Sequence, residues 1–171
     1  EEAKVPASRY NAPSRTGCSL AASTVAYLAK NAEYVTAIKE ASGDISHVAD
    51  IMYACDGAID LYSGNDDQIV PIQSLGGKGV ISVLSNVAPK ETHDIVALFL
   101  EGKIKESREL QLKALPLVHA LFSEVNPIPV KAALNLMGKE VGPLRLPLTE
   151  MEAAHQEVLA EEMKKFGIKL A

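Results

Sequence analysis

Tryptophan is absent from these 171 residues, aromatic residues make up only 5%, and there are two cysteines, Cys18 and Cys55. Neither cysteine belongs to a CxxC pair or has a histidine at ligand spacing, which argues against structural zinc and points to reduced, buried or half-buried thiols. No apolar run reaches the roughly 18 residues that cross a bilayer. The amino-terminal Glu1, Glu2, Ala3 and Lys4 lack the apolar core of a signal peptide, so a cytoplasmic protein with no membrane contact is expected. Charge of one sign is not concentrated anywhere: 22 acidic and 17 basic residues are intermixed to a net -5. That pattern gives no electrostatic footprint for nucleic acid and favours a small-molecule substrate. The histidines (His47, His93, His119, His155) lie far apart in helix-like segments, where packing or surface roles account for them. No metal and no cofactor are implied.

With 47% hydrophobic and 23% charged residues, the composition is that of a globular domain. From Tyr10 to about Gly102, short apolar strands alternate with helical stretches, the pattern of βα units on a parallel sheet. The first strand ends near Tyr10; the others span Tyr34–Lys39, Ala58–Ser63 and Gly79–Val83. Asp44 is placed to cap a helix with Ile45, Val48, Met52 and Cys55 on its apolar face. Pro89 suits the first turn of another, with Ile95, Leu98 and Phe99 inward. After Gly102 three helical patterns follow, so residues 1–102 read as the α/β part and 103–171 as an appended helical domain. The first, Ile104 to about Ser123, contains Pro116, which should kink it. The second presents Val130, Ala133, Leu134 and Met137 before Gly138 ends it. The third opens with Thr149 and Glu152 at capping-box spacing and is expected to bury Met151, His155, Val158, Leu159 and Phe166.

A lysine at the end of an apolar strand is the least expected residue in the chain. Lys39 holds that position. Partial burial disfavours an ammonium and makes a neutral amine available to attack a carbonyl, and parallel α/β sheets place ligands at this edge. Pattern alone leaves open a lysine whose stem packs while its head reaches water.

Several motifs bear on this choice. The run Tyr10 to Gly17 (YNAPSRTG) resembles the YNxPxRTG segment of the dihydrodipicolinate synthases. Ala37 to Asp44 (AIKEASGD) is similar to the strand end that carries their Schiff-base lysine. Ser63 to Asp66, Gly76 to Val83, and Asn126 to Lys131 (NPIPVK) follow in the family's order and spacing, so the resemblance covers residue 10 to about 166. It implies an aldolase-type reaction on a (β/α)₈ barrel, in which pyruvate is held as an imine and condensed with aspartate semialdehyde on the way to diaminopimelate and lysine. Lys39 would be the nucleophile and Tyr10 the proton shuttle near the pyruvate carboxylate, although a tyrosine can also simply fill a barrel end. Arg15 would hold the carboxylate of the second substrate through a bidentate guanidinium; a surface arginine is the plain alternative. Sister aldolases such as N-acetylneuraminate lyase usually lack an arginine there. Gly64 and Ile81 match positions lining the pyruvate pocket, and read equally as a turn glycine and a core isoleucine.

A complete barrel needs eight βα units and about 250 residues, so the resemblance implies strands five to eight followed by a small three-helix domain. The remaining half would carry paired threonines, a tyrosine supplied across a subunit interface, and the main lysine feedback site. Catalysis by this chain alone is therefore doubtful, and a homo-oligomer (a tetramer in the family) or a chain bearing the other half is expected. Ala37, Leu61 and Ile81 or their neighbours would line the face left open. Val5 to Arg9 is an unusual entry to the first strand, since Pro6 lacks a donor and Arg9 would face the helix layer.

Overall fold

The computed structural model describes residues 4–171, which form two compact units divided after Ile81. The first unit is built on four parallel strands in sequential order: β1 (Ala7–Asn11), β2 (Val35–Glu40), β3 (Asp60–Ser63) and β4 (Gly79–Val80). Helices α1 (Pro13–Thr16), α2 (Ala22–Asn31), α3 (Ile45–Cys55) and α4 (Ile69–Ser74) fill the intervals. Successive strand residues face opposite sides, and the two faces differ sharply. Ile38 and Leu61 are opposite each other in register and join Val25, Val48, Ile51 and Ile72 in a buried core. Burying each such side chain contributes about 1.5–3 kcal/mol, so this layer is what holds the strands against α2 and α3.

Helix α3 begins where its cap dictates: the Asp44 carboxylate accepts hydrogen bonds from the amides of Ser46 and His47. Its buried stripe is Val48, Ile51 and Cys55, with Ile45 and Met52 only partly covered. Cys55 is a buried free thiol, which desolvation pushes above its usual pKa. Cys18 is exposed, against expectation, because it lies in the loop after α1, where Ser14 to Ser19 are all exposed.

The start of β3, the end of β4 and the facing of Leu61 differ from the sequence reading. β3 starts only at Asp60, since Asp56 and Gly57 take positive φ and the amide of Ala58 bonds back to Cys55, closing a turn. β4 stops at Val80; the Ser82 hydroxyl then accepts from the Ser85 amide at 2.8 Å and turns the chain into a short 3-10 stretch at Leu84–Asn86. Leu61 is fully buried on the helix side, so the opposite face carries Ala37 beside Asp60 and Lys39 beside Tyr62. At the entry, β1 begins directly after Pro6 with a register shift between Ala7 and Ser8, and Arg9 is exposed.

The second unit, Ser82 to Ala171, contains α5 (Pro89–Leu100), α6 (Ile104–Leu121), α7 (Ile128–Leu136) and α8 (Ala153–Phe166). Helix α6 packs against α5, α7 and α8, and runs unbroken through Pro116. Its buried side includes Ala114, Leu117 and Leu121, and the Ser107 hydroxyl donates to the Ile95 carbonyl of α5 at 2.6 Å. The expected capping box of α8 is absent. Glu152 is the N-cap residue but gives no side-chain cap. Instead Glu124, just beyond α6, accepts from the Glu152 amide at 3.0 Å and meets His155 Nδ1 at 2.8 Å. The helix buries Leu159 and Met163, which share a face at i, i+4, while Val158, about 100° round the helix from Leu159, is 53% exposed.

Candidate active site

Pairing of the first three strands sets Tyr10 opposite Lys39 and Lys39 opposite Tyr62. The register therefore lines up a phenol, an amine and a phenol across adjacent strands, on the face away from the Ile38–Leu61 core. All three are the next-to-last residues of their strands, at the carboxyl edge where helix and loop backbone diverge and leave room for a ligand. Lys39 and Tyr62 are half-buried, and Tyr10 is 57% exposed. The Lys39 ammonium sits 4.2 Å from the centroid of the Tyr10 ring. A cation at that range over a partly exposed ring gains about 0.5–1 kcal/mol, enough to bias the lysine rotamer toward the tyrosine.

Gly64 follows β3 directly. A Cβ at this position would lie 3.1 Å from Lys39 Cε, 3.1 Å from the Glu40 carbonyl oxygen and 2.5 Å from Ala41 Cβ. The missing side chain thus leaves the space that the lysine stem occupies. Ile81 follows β4, its amide donating to the Ser63 carbonyl at 2.8 Å, and its side chain is 46% exposed. Arg15 lies on α1, a single turn closed by Gly17 at φ 68°, and is exposed on the loop that follows β1. The structure brings Tyr10, Lys39 and Gly64 together, sets Ile81 at a neighbouring strand end, and leaves Arg15 on its loop.

Two groups that matter to this arrangement are not singled out by the sequence reading. Tyr62 completes the row beside Lys39. On the opposite face, Glu40 is 1% exposed and its carboxylate accepts from Asn11 Nδ2 at 2.8 Å and from the Ser42 amide at 2.7 Å. A charged group so deeply buried requires such partners. The signal available is strand alternation: the residue after an outward Lys39 must point into the helix layer, and a glutamate there needs donors.

Among the described residues no set of three or more His, Cys, Asp or Glu side chains is arranged to hold a metal ion. Among the same residues no helix is long and apolar enough to cross a membrane.

Known proteins share both this sequence and this arrangement of strands. Residues 1–166 match the Dihydrodipicolinate synthetase family. The 4-hydroxy-tetrahydrodipicolinate synthase of Lachnoclostridium phytofermentans is 61% identical over 164 residues, covering 96% of this chain and 56% of the relative. The crystal structure of dihydrodipicolinate synthase from Thermotoga maritima superposes with a TM-score of 0.92 at 42% identity, over 95% of this chain and 56% of that one. The Acinetobacter baumannii dihydrodipicolinate synthase complexed with pyruvate superposes with a TM-score of 0.92 at 36% identity, over 97% of this chain and 57% of that one. The chain spans about half the length of the curated relatives it matches.

Proposed function

The chain belongs to the dihydrodipicolinate synthetase family, and on that premise we propose that it supplies the imine-forming part of a 4-hydroxy-tetrahydrodipicolinate synthase. The reaction condenses pyruvate with aspartate semialdehyde on the route to diaminopimelate and lysine, in the cytoplasm. The four parallel strands are read as strands five to eight of a (β/α)₈ barrel, with residues 103–171 as the appended helical domain. The remaining strands of such a barrel correspond to the part of the relatives that this chain does not span, and the working form is read as one that includes them and is oligomeric.

The neutral Lys39 amine adds to the C2 carbonyl of pyruvate; loss of water from the carbinolamine leaves the imine. Removal of a methyl proton gives the enamine, which attacks the aldehyde of the second substrate. Tyr10, whose ring contacts Lys39, passes protons between these groups through its hydroxyl. Gly64 keeps the lysine channel open, Ile81 bounds the substrate methyl, and Arg15 holds the second carboxylate. The observation that carries the reading is the Lys39 ammonium 4.2 Å above the Tyr10 ring at the strand ends, with Gly64 shaped around the lysine stem.

The test is borohydride reduction in the presence of pyruvate followed by peptide mass analysis. Trapping is irreversible, so even slow imine formation accumulates signal. The pyruvyl mass is expected on the peptide containing Lys39 and is expected to vanish in Lys39→Ala. Mass gain on another lysine, or unchanged trapping after that substitution, overturns the assignment.

A further inference from the structure

Beneath the Tyr10–Lys39 row, on the other face of the same two strands, lies a chain of hydrogen bonds with a fixed direction. The Leu20 amide donates to Asn11 Oδ1 at 3.0 Å; Asn11 Nδ2 donates to Glu40 Oε2 at 2.8 Å; the Ser42 amide donates to Glu40 Oε1 at 2.7 Å. Ser19 Oγ lies 3.4 Å from the same Asn11 nitrogen. Asn11 and Glu40 are 2% and 1% exposed. Each is the immediate neighbour of a proposed site residue, Tyr10 and Lys39 respectively. The chain also joins two segments: Leu20 closes the loop that carries Arg15, and Ser42 lies in the turn that follows Lys39.

The energetics argue against a role in stability alone. A well-packed apolar pair commonly equals or exceeds a buried charged pair in stability, and Ile38, two residues earlier on the same face, shows that this layer accepts an apolar side chain. What the polar pair adds is direction. Leu20 bonds the only acceptor atom of the Asn11 amide, so its NH₂ points at Glu40, whose two carboxylate oxygens take one donor each, Oε2 that NH₂ and Oε1 the Ser42 amide.

We propose that Asn11 and Glu40 are positioning residues that fix the neck of the Arg15 loop against the strand end bearing Lys39. The inference rests on the reading of Lys39 and Arg15 as site residues. The pair acts through its neighbours: it holds the backbone of Tyr10 and Lys39 in register on the reactive face and sets the height at which Arg15 is presented.

The bonding direction makes the proposal testable by exchange of the two side chains' chemistry. In Glu40→Gln, every amide orientation leaves at least one buried donor facing another donor. In Asn11→Asp, two carboxylates face each other and one must take up a proton, so the defect is severe at neutral pH and eases as pH falls. The double variant Asn11→Asp/Glu40→Gln swaps the two groups and restores every bond. The carboxylate introduced on β1 accepts from the Leu20 amide and from the NH₂ introduced on β2, while the carbonyl of that new amide still accepts from Ser42. The measurements, on the 171-residue chain, are hydrogen exchange at the Leu20 and Ser42 amides and the rate of borohydride-trapped pyruvate at Lys39. Each single variant should speed exchange at Leu20 and slow trapping by about tenfold, the scale of one lost buried hydrogen bond, and the double variant should return both to within about twofold. Trapping by Asn11→Asp should recover at acidic pH relative to the parent chain.

A double variant as impaired as the worse single one overturns the proposal, as do single variants that leave exchange and trapping unchanged. If a single variant fails to fold, a folded double variant with parental exchange supports the pair, and an unfolded one overturns it. Should the parent chain trap pyruvate on a different lysine, the assignment of Lys39 falls and the proposal with it, whereas intact trapping without rescue removes the pair alone.

Discussion

Gly64 and Lys39 are packed so closely that a methyl group on the glycine would stand 3.1 Å from the lysine Cε and 2.5 Å from Ala41 Cβ. The Ala41 contact cannot be relieved by rotating a side chain, because a Cβ moves only with its backbone. Gly64→Ala should therefore cost about 1–3 kcal/mol, as overpacking does. It should also slow pyruvate trapping on Lys39 by displacing the lysine stem. Denaturant titration beside trapping kinetics checks both, and an alanine variant with parental stability would show that the strand ends yield easily.

Arg15 gives the opposite expectation. It is exposed on a single-turn helix, so Arg15→Ala should change folding stability by no more than about 0.5 kcal/mol. If it grips the second substrate, pyruvate trapping should be nearly unchanged while condensation falls by about a hundredfold, the scale of a lost charge-assisted pair. That comparison requires turnover, and the chain should be supplied with the amino-terminal half of a relative such as the L. phytofermentans enzyme. Equal loss in both steps would show that Arg15 has no selective hold on the second carboxylate.

The positions of strands and helices follow from local pattern because their causes are local. Asp44 caps α3 from the position just before its first turn, and the largely apolar run from Val35 to Ile38 marks a strand in which Val35 and Ile38 are buried. Lys39 stands out for the same reason, as a charge breaking an apolar run. What escapes local reading depends on partners far along the chain. Glu40 looks costly until Asn11 is brought 2.8 Å from it, 29 residues away in sequence. The start of α8 is not legible locally because its acceptor, Glu124, lies 28 residues before Glu152 and in no window that a capping-box search covers. Leu61 faces the helices rather than the open side because parallel pairing sets it opposite Ile38, 23 residues earlier, and the two enter one core with Val48, Ile51 and Ile72.

Glu124 also makes stability of the helical unit depend on pH. Its carboxylate is held below the usual carboxylate range, first by the hydrogen bond with His155 and further by the Glu152 amide, against the opposing effect of desolvation. A carboxyl with a lowered folded pKa binds fewer protons folded than unfolded, so its contribution is fully present above the unfolded value of about 4.3 and is lost as pH falls through the folded value. Glu124→Gln should destabilise the chain at pH 7 and make progressively less difference toward pH 3. Urea midpoints of both proteins across that range test this, and a gap that stays constant would show that the charge on Glu124 is irrelevant to anchoring α8.

The last prediction concerns the 171 residues expressed on their own. Within the first unit, β1 and β4 are sheet edges among the described residues, and Tyr10 and Ile81 are 57% and 46% exposed at the strand ends. Unpaired strand edges and apolar side chains at a sheet face favour association with another chain. Chemistry points the same way. An imine can form on Lys39 slowly in an open cleft, but condensation also requires a proton path beyond Tyr10 and a site that excludes water. The isolated chain should therefore self-associate in light scattering and turn over aspartate semialdehyde at less than about a thousandth of the rate found once the other half of a barrel is added, the combined cost of lost proton transfer and lost preorganisation. Adding that half should raise the unfolding midpoint and the condensation rate together. A monomer with full condensation activity from these residues alone would overturn the half-barrel reading while leaving the chemistry of Lys39 in place.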